Sequence, residues 1–320
     1  MESENLMQQM LNGELAPASM GQILVNLADR GETVEEITGM AKAMRSFVVP
    51  VKGHEDAIDN CGTGGSGLPR INTSTISAFI LGAEGVKVAK HGNRSAGGRC
   101  GSFDVLEAVG VNIELNAEQV EKTLEEMNIG FMYARLFHPA MKAVAPVRKA
   151  LGIRTVFNCL GPLTNPAFVK RQVLGVSDLE LAEKMVEVLK GLGHERALVV
   201  HGEDGLDEIT VTGITTLFEL KDGEVTKREL TPEDFGLDES ELSAVFGGSV
   251  EDNSFDFIEI LKGNLVGAKQ DLVLANAGAG FYLAGKVENL KEGVDLARES
   301  IQSGNAYKYF ERYRQLTQAL

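Results

Sequence analysis

The run Asp59-Asn-Cys-Gly-Thr-Gly-Gly-Ser-Gly67 constrains this chain more than any other segment. Glycine weakens helices and strands, and serves where a backbone must turn tightly or approach another group closely. Four glycines between positions 62 and 67 therefore mark a turn. Upstream of it, Ala57 to Cys61 reads as a strand. Downstream, Asn72-Thr-Ser-Thr75 leads into a helix over Ser74 to Gly82. Strand, glycine turn and helix together form the opening unit of a sheet with helices on its faces.

The alternation continues along the chain. Strands are expected at Val86 to Ala89, Val111 to Glu114, Phe131 to Ala134, Gln172 to Val176 and Ala197 to His201. Helices are expected at Ser102 to Val109, Ala117 to Met127, His138 to Leu151 and Leu179 to Leu192. Asp222-Gly223, flanked by Thr216 to Leu220 and Val225 to Leu230, reads as a hairpin turn. From about Ser254 onward the pattern is mostly helical. The first residues differ: Leu6 to Leu11 and Ser19 to Ala28 show helical spacing, and Thr33 with Glu36 has the spacing of a capping box. Pro50 ends this helical module. The expected fold class is α/β, with a small all-helical N-terminal domain and a larger domain whose mainly parallel central sheet is flanked by helices.

The 320 residues carry a formal net charge of −15. So acidic a surface disfavours nucleic acid and anionic membranes as partners. The three cysteines are odd in number, far apart and without a CxxC, which argues against a disulfide framework or structural zinc and fits a reducing compartment. The N-terminus lacks the pattern of a secretory signal, and no stretch approaches the length of a membrane span.

Four motifs carry chemistry. In the first, the glycine turn and the helix start at Ser74 and Thr75 would present free N–H groups and hydroxyls to a phosphate. A capped structural turn would use the same residues. Gly62, Gly64 and Gly67 also fit GxGxxG, but the loop runs on through Pro69-Arg70 and the next strand ends in Lys90-His91, not in a ribose-binding acid. The second motif is Lys90-His-Gly-Asn-Arg94, continuing to Ser102, where Lys90, Arg94 and Arg99 gather positive charge at a strand's C-terminal end. The third joins His138-Pro-Ala-Met-Lys142, Arg148 and Leu160-Gly-Pro-Leu-Thr-Asn-Pro166. Arg148 has the planar fork that grips a carboxylate with two bonds. The fourth, Asp204-Gly-Leu-Asp-Glu-Ile209, sets Asp207 and Glu208 side by side, hard oxygen ligands suited to Mg2+ shared with substrate phosphates. Together they point to a phosphorylated or pyrophosphorylated substrate on an α/β sheet.

In this order and spacing the motifs resemble the anthranilate phosphoribosyltransferases over nearly the whole chain. The resemblance implies a helical domain at 1–52, joined by a helical segment at about 138–165, and an α/β domain made of 53–137 and 166–320. It also implies a site in the cleft between the domains, a homodimer formed through the helical domains, and a cytoplasmic location. Phosphoribosyl pyrophosphate (PRPP) would be held by Gly62, Gly65, Ser66, Arg70, Asn72, Thr73, Ser74, Thr75 and Lys90. The loop His91, Gly92, Asn93, Arg94, Ser95, Ala96, Gly97 and Gly98, with Ser102, would complete the grip. Anthranilate would meet Gly62, His91, Asn93, Arg148, Gly161 and Pro162. Mg2+ would be held by Ser74, Asp207 and Glu208. Lys90 would steady the departing pyrophosphate and Arg148 would orient the acceptor, as the catalytic pair.

Two positions depart from the family pattern: Ser66 stands for its usual Asp and Arg70 for its usual Thr. The expectation from charge alone is that Arg70 supplies part of the neutralisation a metal gives, so that Arg70→Thr raises the Mg2+ requirement. The departures also leave room for a paralogue with another aromatic acceptor. A pyrimidine nucleoside phosphorylase and a non-catalytic nucleic-acid-binding relative are the other readings, disfavoured by the acid pair and by the net charge.

Overall fold

The computed structural model describes residues 2–95 and 100–320. Three helices open the chain: α1 (Glu2–Leu11), α2 (Pro17–Arg30) and α3 (Val34–Arg45). The capping box at the start of α3 is present. The Glu36 N–H donates to the Thr33 hydroxyl at 3.2 Å, and the Thr33 N–H donates to the Glu36 carboxylate at 3.0 Å. Met7, Met10, Leu24, Ile37 and Met40 recur at helical spacing and are buried.

The rest of the chain alternates. Strands β1 (Ile58–Gly62), β2 (Val88–Gly92) and β3 (Ile129–Tyr133) are separated by α4 (Thr73–Ala83), α5 (Ser102–Ala108) and α6 (Ala117–Met127). Short helices α7 (Ala134–Phe137), α8 (Ala145–Leu151) and α9 (Phe157–Leu160) precede β4 (Arg171–Gly175). Then come α10 (Leu179–Gly191), β5 (Arg196–Gly202), β6 (Thr215–Lys221) and β7 (Glu224–Leu230), and finally α11 (Val250–Leu261), α12 (Ala268–Ala284), α13 (Leu290–Gln302) and α14 (Asn305–Gln318).

The strands form a seven-stranded sheet in the order β3-β2-β1-β4-β5-β6-β7. The first five are mutually parallel, and β6 and β7 add an antiparallel hairpin. Asp222 and Gly223 both take positive φ at its tip, as a tight hairpin turn requires. On one face of the sheet, α4, α11 and α14 pack around Phe79, whose ring lies within 5.6 Å, centroid to centroid, of Phe131, Phe257, Phe310 and Tyr313. On the other face, the core of α1 to α3 runs without a break through Phe157 and Leu160 into Leu174, Val199 and Phe218. The helical module is thus built onto the sheet.

Two expected elements differ. Residues 111–114 form no strand, although Val111, Ile113 and Leu115 are buried in alternation. Their apolar side packs inward, but the segment's polar groups turn to the chain's end. The Asn112 N–H donates to the Thr317 hydroxyl and its side-chain amide to the Thr317 carbonyl. The expected helix from His138 to Leu151 is broken into a 3-10 turn at Pro139–Ala143 and α8. Pro139 and Pro146 explain the break: each lacks the N–H for a helix interior, and each sits in the first turn of its own piece.

Candidate active site

Strand order reverses at β1. The chain moves from β1 to β2 and β3 on one side, then returns to place β4 on the other. In open α/β sheets such a switch point leaves a crevice at the carboxyl ends of the strands, where ligands bind. Here the two strands that flank it end in Gly62 and Gly175, which pair in register. Both glycines are required by what crosses above them. A Cβ at Gly62 would run into the Asp207 carboxylate, and one at Gly175 into the Asp207 carbonyl. The two strands are trimmed to let an acid from the loop after β5 lie across their ends.

Asp207 and Glu208 are both buried, at 0% and 5% exposure. One Asp207 oxygen accepts the Gly64 N–H at 2.8 Å; the other accepts Arg70 Nε and Nη2 at 3.0 and 2.7 Å. Glu208 accepts Arg70 Nη1 at 3.0 Å. Burial raises the Glu208 carboxyl, with Arg70 pulling it down and Asp207 pushing it up. Burial also works against the Arg70 charge, but the two acids outweigh it and hold its pKa above the ordinary value.

The glycine turn is shaped by positive φ at Gly64, Gly65 and Gly67. Ser66 turns back to accept the Leu68 N–H at 3.4 Å. At the start of α4 the expected residues divide. The Thr75 hydroxyl is buried and has no partner among the described residues, and Ser74 lines a small cavity together with Glu208, Asn60 and Asn276. Thr73 instead buries its hydroxyl against the Ile71 carbonyl at 3.5 Å, away from the crevice. Asn72 is buried and accepts the Cys100 thiol at 3.3 Å.

Lys90, on β2, is only 2% exposed and donates to the Asn60 carbonyl. Its charge acts on Asp59 and Glu208 from beneath the crevice floor. Burial raises the Asp59 carboxyl, opposed by Lys90, by the Asn165 amide at 2.8 Å and by the His91 N–H. His91 is buried as well, its Nε2 3.0 Å from that of His138. Burial, and then the neighbouring His138, push its pKa well down; burial alone brings His138 to about 4. Both rings are therefore neutral near pH 7.

Beyond His91 the loop is held by an acid that sequence reasoning missed. One Asp104 oxygen accepts the Ser95 N–H at 2.9 Å and the Gly101 N–H at 2.8 Å, so α5 pins both ends of the segment between them. Its place in the first turn of a helix that follows a glycine-rich run was the available signal. Arg94 pairs outward with Glu107 at 2.8 Å and lies over Tyr133, so its charge is already engaged. The Ser102 hydroxyl donates to the Asn93 carbonyl at 3.2 Å. Ala96, Gly97, Gly98 and Arg99 lie outside the described residues.

A cavity of about 690 Å³ opens between the sheet and α8, lined by Gly62, Thr63, His91, Gly92, Asn93, His138, Arg148, Gly161 and Pro162, among others. Cys61 lines both this cavity and the smaller one beside Ser74 and Glu208. Arg148 comes from α8 and lies over the Phe157 ring at 5.2 Å, with no ion-pair partner among the described residues. Burial lowers its pKa without neutralising it at ordinary pH. Gln172 was also missed. Its amide donates to the Pro162 carbonyl at 2.8 Å and fixes the cavity wall. All six residues expected to meet the aromatic acceptor thus share one cavity.

Comparison with known proteins decides the family. The chain matches the helical bundle domain of a glycosyl transferase family at residues 1–48 and that family's a/b domain at residues 54–307. It is 48% identical to an anthranilate phosphoribosyltransferase of Rubrobacter xylanophilus over 319 residues, which is 100% of this chain and 93% of that one. The chain belongs to the anthranilate phosphoribosyltransferase family. The crystal structure of the family member from Thermus thermophilus superposes with a TM-score of 0.93 at 47% identity, covering 99% of this chain and 95% of that one. The Saccharomyces cerevisiae member, at 29% identity and a TM-score of 0.91, covers 99% and 93% of the two chains and was solved in complex with PRPP and Mg. It has also been solved with 4-fluoroanthranilate. Among the described residues no helix is long and apolar enough to cross a membrane.

Proposed function

We propose that this chain transfers the phosphoribosyl group of PRPP to the amine of anthranilate, releasing pyrophosphate. The observation that carries the reading is the cavity of about 690 Å³ at the strand switch point. Gly62 and Thr63 of the turn line it together with Arg148, which has no ion-pair partner among the described residues, and the buried Asp207 lies across the strand ends beside the turn. A pyrophosphate needs N–H donors and cations, whereas an aromatic carboxylate needs a flat apolar slot with one arginine fork.

The residues present fit a divalent cation. Asp207 and Glu208 are buried carboxylates already converging on one cation, the Arg70 guanidinium, and Ser74 lines the cavity beside Glu208. Two carboxylates, with substrate phosphates and water, are what Mg2+ commonly takes. When bound there, Mg2+ would neutralise charge on the departing pyrophosphate.

The chain's own groups do the rest. The Gly62–Gly65 turn and the unpartnered Thr75 hydroxyl receive phosphate oxygens. Lys90 acts from below as a fixed positive charge that favours the developing anion. Arg148 orients the acceptor carboxylate so that its amine, a usable nucleophile without a strong base, faces ribose C1. The neutral His91–His138 pair lines the slot without adding charge.

We also assign residues 1–52 and about 138–165 to one helical unit, supported by Val147 and Leu151 of α8 lying 3.8 Å from the position a Cβ on Gly21 would take. The family resemblance supports a homodimer through that unit and a cytoplasmic location. One assay tests the reaction: loss of anthranilate fluorescence with PRPP and Mg2+, beside nucleoside and nucleic-acid controls. Turnover of a nucleoside with free phosphate and none of anthranilate would reject the proposal.

A further inference from the structure

Arg70 stands where the family pattern has threonine, and its guanidinium makes three hydrogen bonds to the acid pair. The arm is fixed at its base. Arg70 forms a backbone bridge with Phe246, and the Gly247 N–H donates to the Pro69 carbonyl at 2.5 Å. A Cβ at Gly247 would meet the Arg70 carbonyl at 2.8 Å, so the loop that bridges to Arg70 needs a glycine to let this backbone pass. With the backbone held, the fork reaches both acids in one planar arrangement.

The consequence is one of occupancy. Of the four carboxylate oxygens, Arg70 takes one from Asp207 and one from Glu208, and the Gly64 N–H takes the second Asp207 oxygen. A second cation on this pair would share both carboxylates with the Arg70 guanidinium and find one Asp207 oxygen already turned to the Gly64 N–H. Two positive charges crowded on the same buried acids oppose one another. The Arg70 side chain keeps 19% of its surface exposed, against 0% and 7% for the two acids, so it is the least enclosed of the three.

We propose that Arg70 is a resident counter-ion that competes with Mg2+ for Asp207 and Glu208. The protein without substrate then binds divalent cations weakly. The sugar pyrophosphate releases the acids by offering the guanidinium a second anion, so metal and PRPP enter together. The inference rests on reading Asp207 and Glu208 as the metal-holding pair. It also reverses the sign expected from charge alone: removing Arg70 eases metal binding, because the arginine sits on the acids.

The test is direct titration with Mn2+, read by electron paramagnetic resonance on the full chain without PRPP. The Arg70→Thr variant is expected to bind Mn2+ at least about tenfold more tightly than the unaltered protein, the scale of losing charge-assisted bonds. Its melting temperature should fall in chelator, where two buried acids face each other unpaired, and should recover with Mg2+ by more than that of the unaltered protein. Unchanged or weaker Mn2+ binding in Arg70→Thr, with binding abolished in Asp207→Asn/Glu208→Gln, overturns the competition alone. Full Mn2+ binding in that double variant overturns the metal-pair reading itself. If Arg70→Thr does not fold, Arg70→Gln carries the test, since it removes the charge and keeps a long polar side chain. Tighter binding than the unaltered protein supports the proposal, and equal binding overturns it.

Discussion

Single side chains show most clearly what was legible beforehand. Asp207, Glu208, Arg148 and the glycine turn are read from residue type and spacing, because their chemistry is scarce in an ordinary loop. Asp104 was legible only as a helix-start acid three residues from Gly101, and its hold on Ser95 and the hold of Gln172 on Pro162 appear only once the chain is folded. Arg148 gives the sharpest functional prediction. Arg148→Ala should raise the KM for anthranilate by roughly tenfold or more, the cost of losing a charge-assisted fork, and leave that for PRPP nearly unchanged. Steady-state kinetics with each substrate varied checks it. A second prediction concerns pH. His138 has an ordinary value of 6.5 and is brought to about 4 by burial. Between these values the unfolded chain takes up a proton that the folded chain refuses. Its stabilising effect is therefore full above about 6.5, is lost progressively as pH falls, and is spent by about 4. The total is on the order of 3 kcal/mol. His138→Gln should flatten the fall in urea midpoint between pH 7 and pH 5 relative to the unaltered protein, whose other buried histidines keep a residual slope.

At the scale of elements, periodicity placed most strands and helices, and its failures have physical causes. The alternation at Val111, Ile113 and Leu115 is that of a half-buried strand, but β3 already ends the sheet and the segment bonds the end of α14. A single strand's pattern carries no information about whether a partner edge is free. The helix from His138 was misjudged for the opposite reason: its apolar spacing persists through two prolines that break it. Gly175 falls inside the expected strand Gln172 to Val176 with nothing to single it out, yet the strand order makes it a clearance for Asp207. Gly175→Ala should therefore push the acid-bearing loop off the strand ends. Turnover should drop by roughly tenfold or more, as small misplacements at a reacting centre do. Gly193→Ala, at a positive-φ turn with nothing within 4 Å of its Cβ, is the comparison; it should lose some stability but keep its turnover.

For the whole molecule, the strand order decides where chemistry happens, and no local pattern encodes that order. The net charge of −15 says nothing of the site, where Arg70, Lys90 and Arg148 gather against it. What binds the halves together is a small buried knot. The Asn165 amide donates to Asp59 of β1 and to the Ala89 carbonyl of β2, both at 2.8 Å, and its carbonyl oxygen accepts the Ala167 N–H at 2.8 Å. Asn165→Ala would leave Asp59 buried with fewer partners and should lower stability by about 1–3 kcal/mol, measured by denaturant unfolding.

That knot lies between the crevice floor and the Gly161-Pro162 wall. It ties both to adjacent strands within a few residues of each other. Gln172 of β4 holds the same wall a second time, through the Pro162 carbonyl. The wall of the acceptor cavity therefore takes its anchorage from three neighbouring strands, so an exchange at either amide is felt on both sides of the switch point.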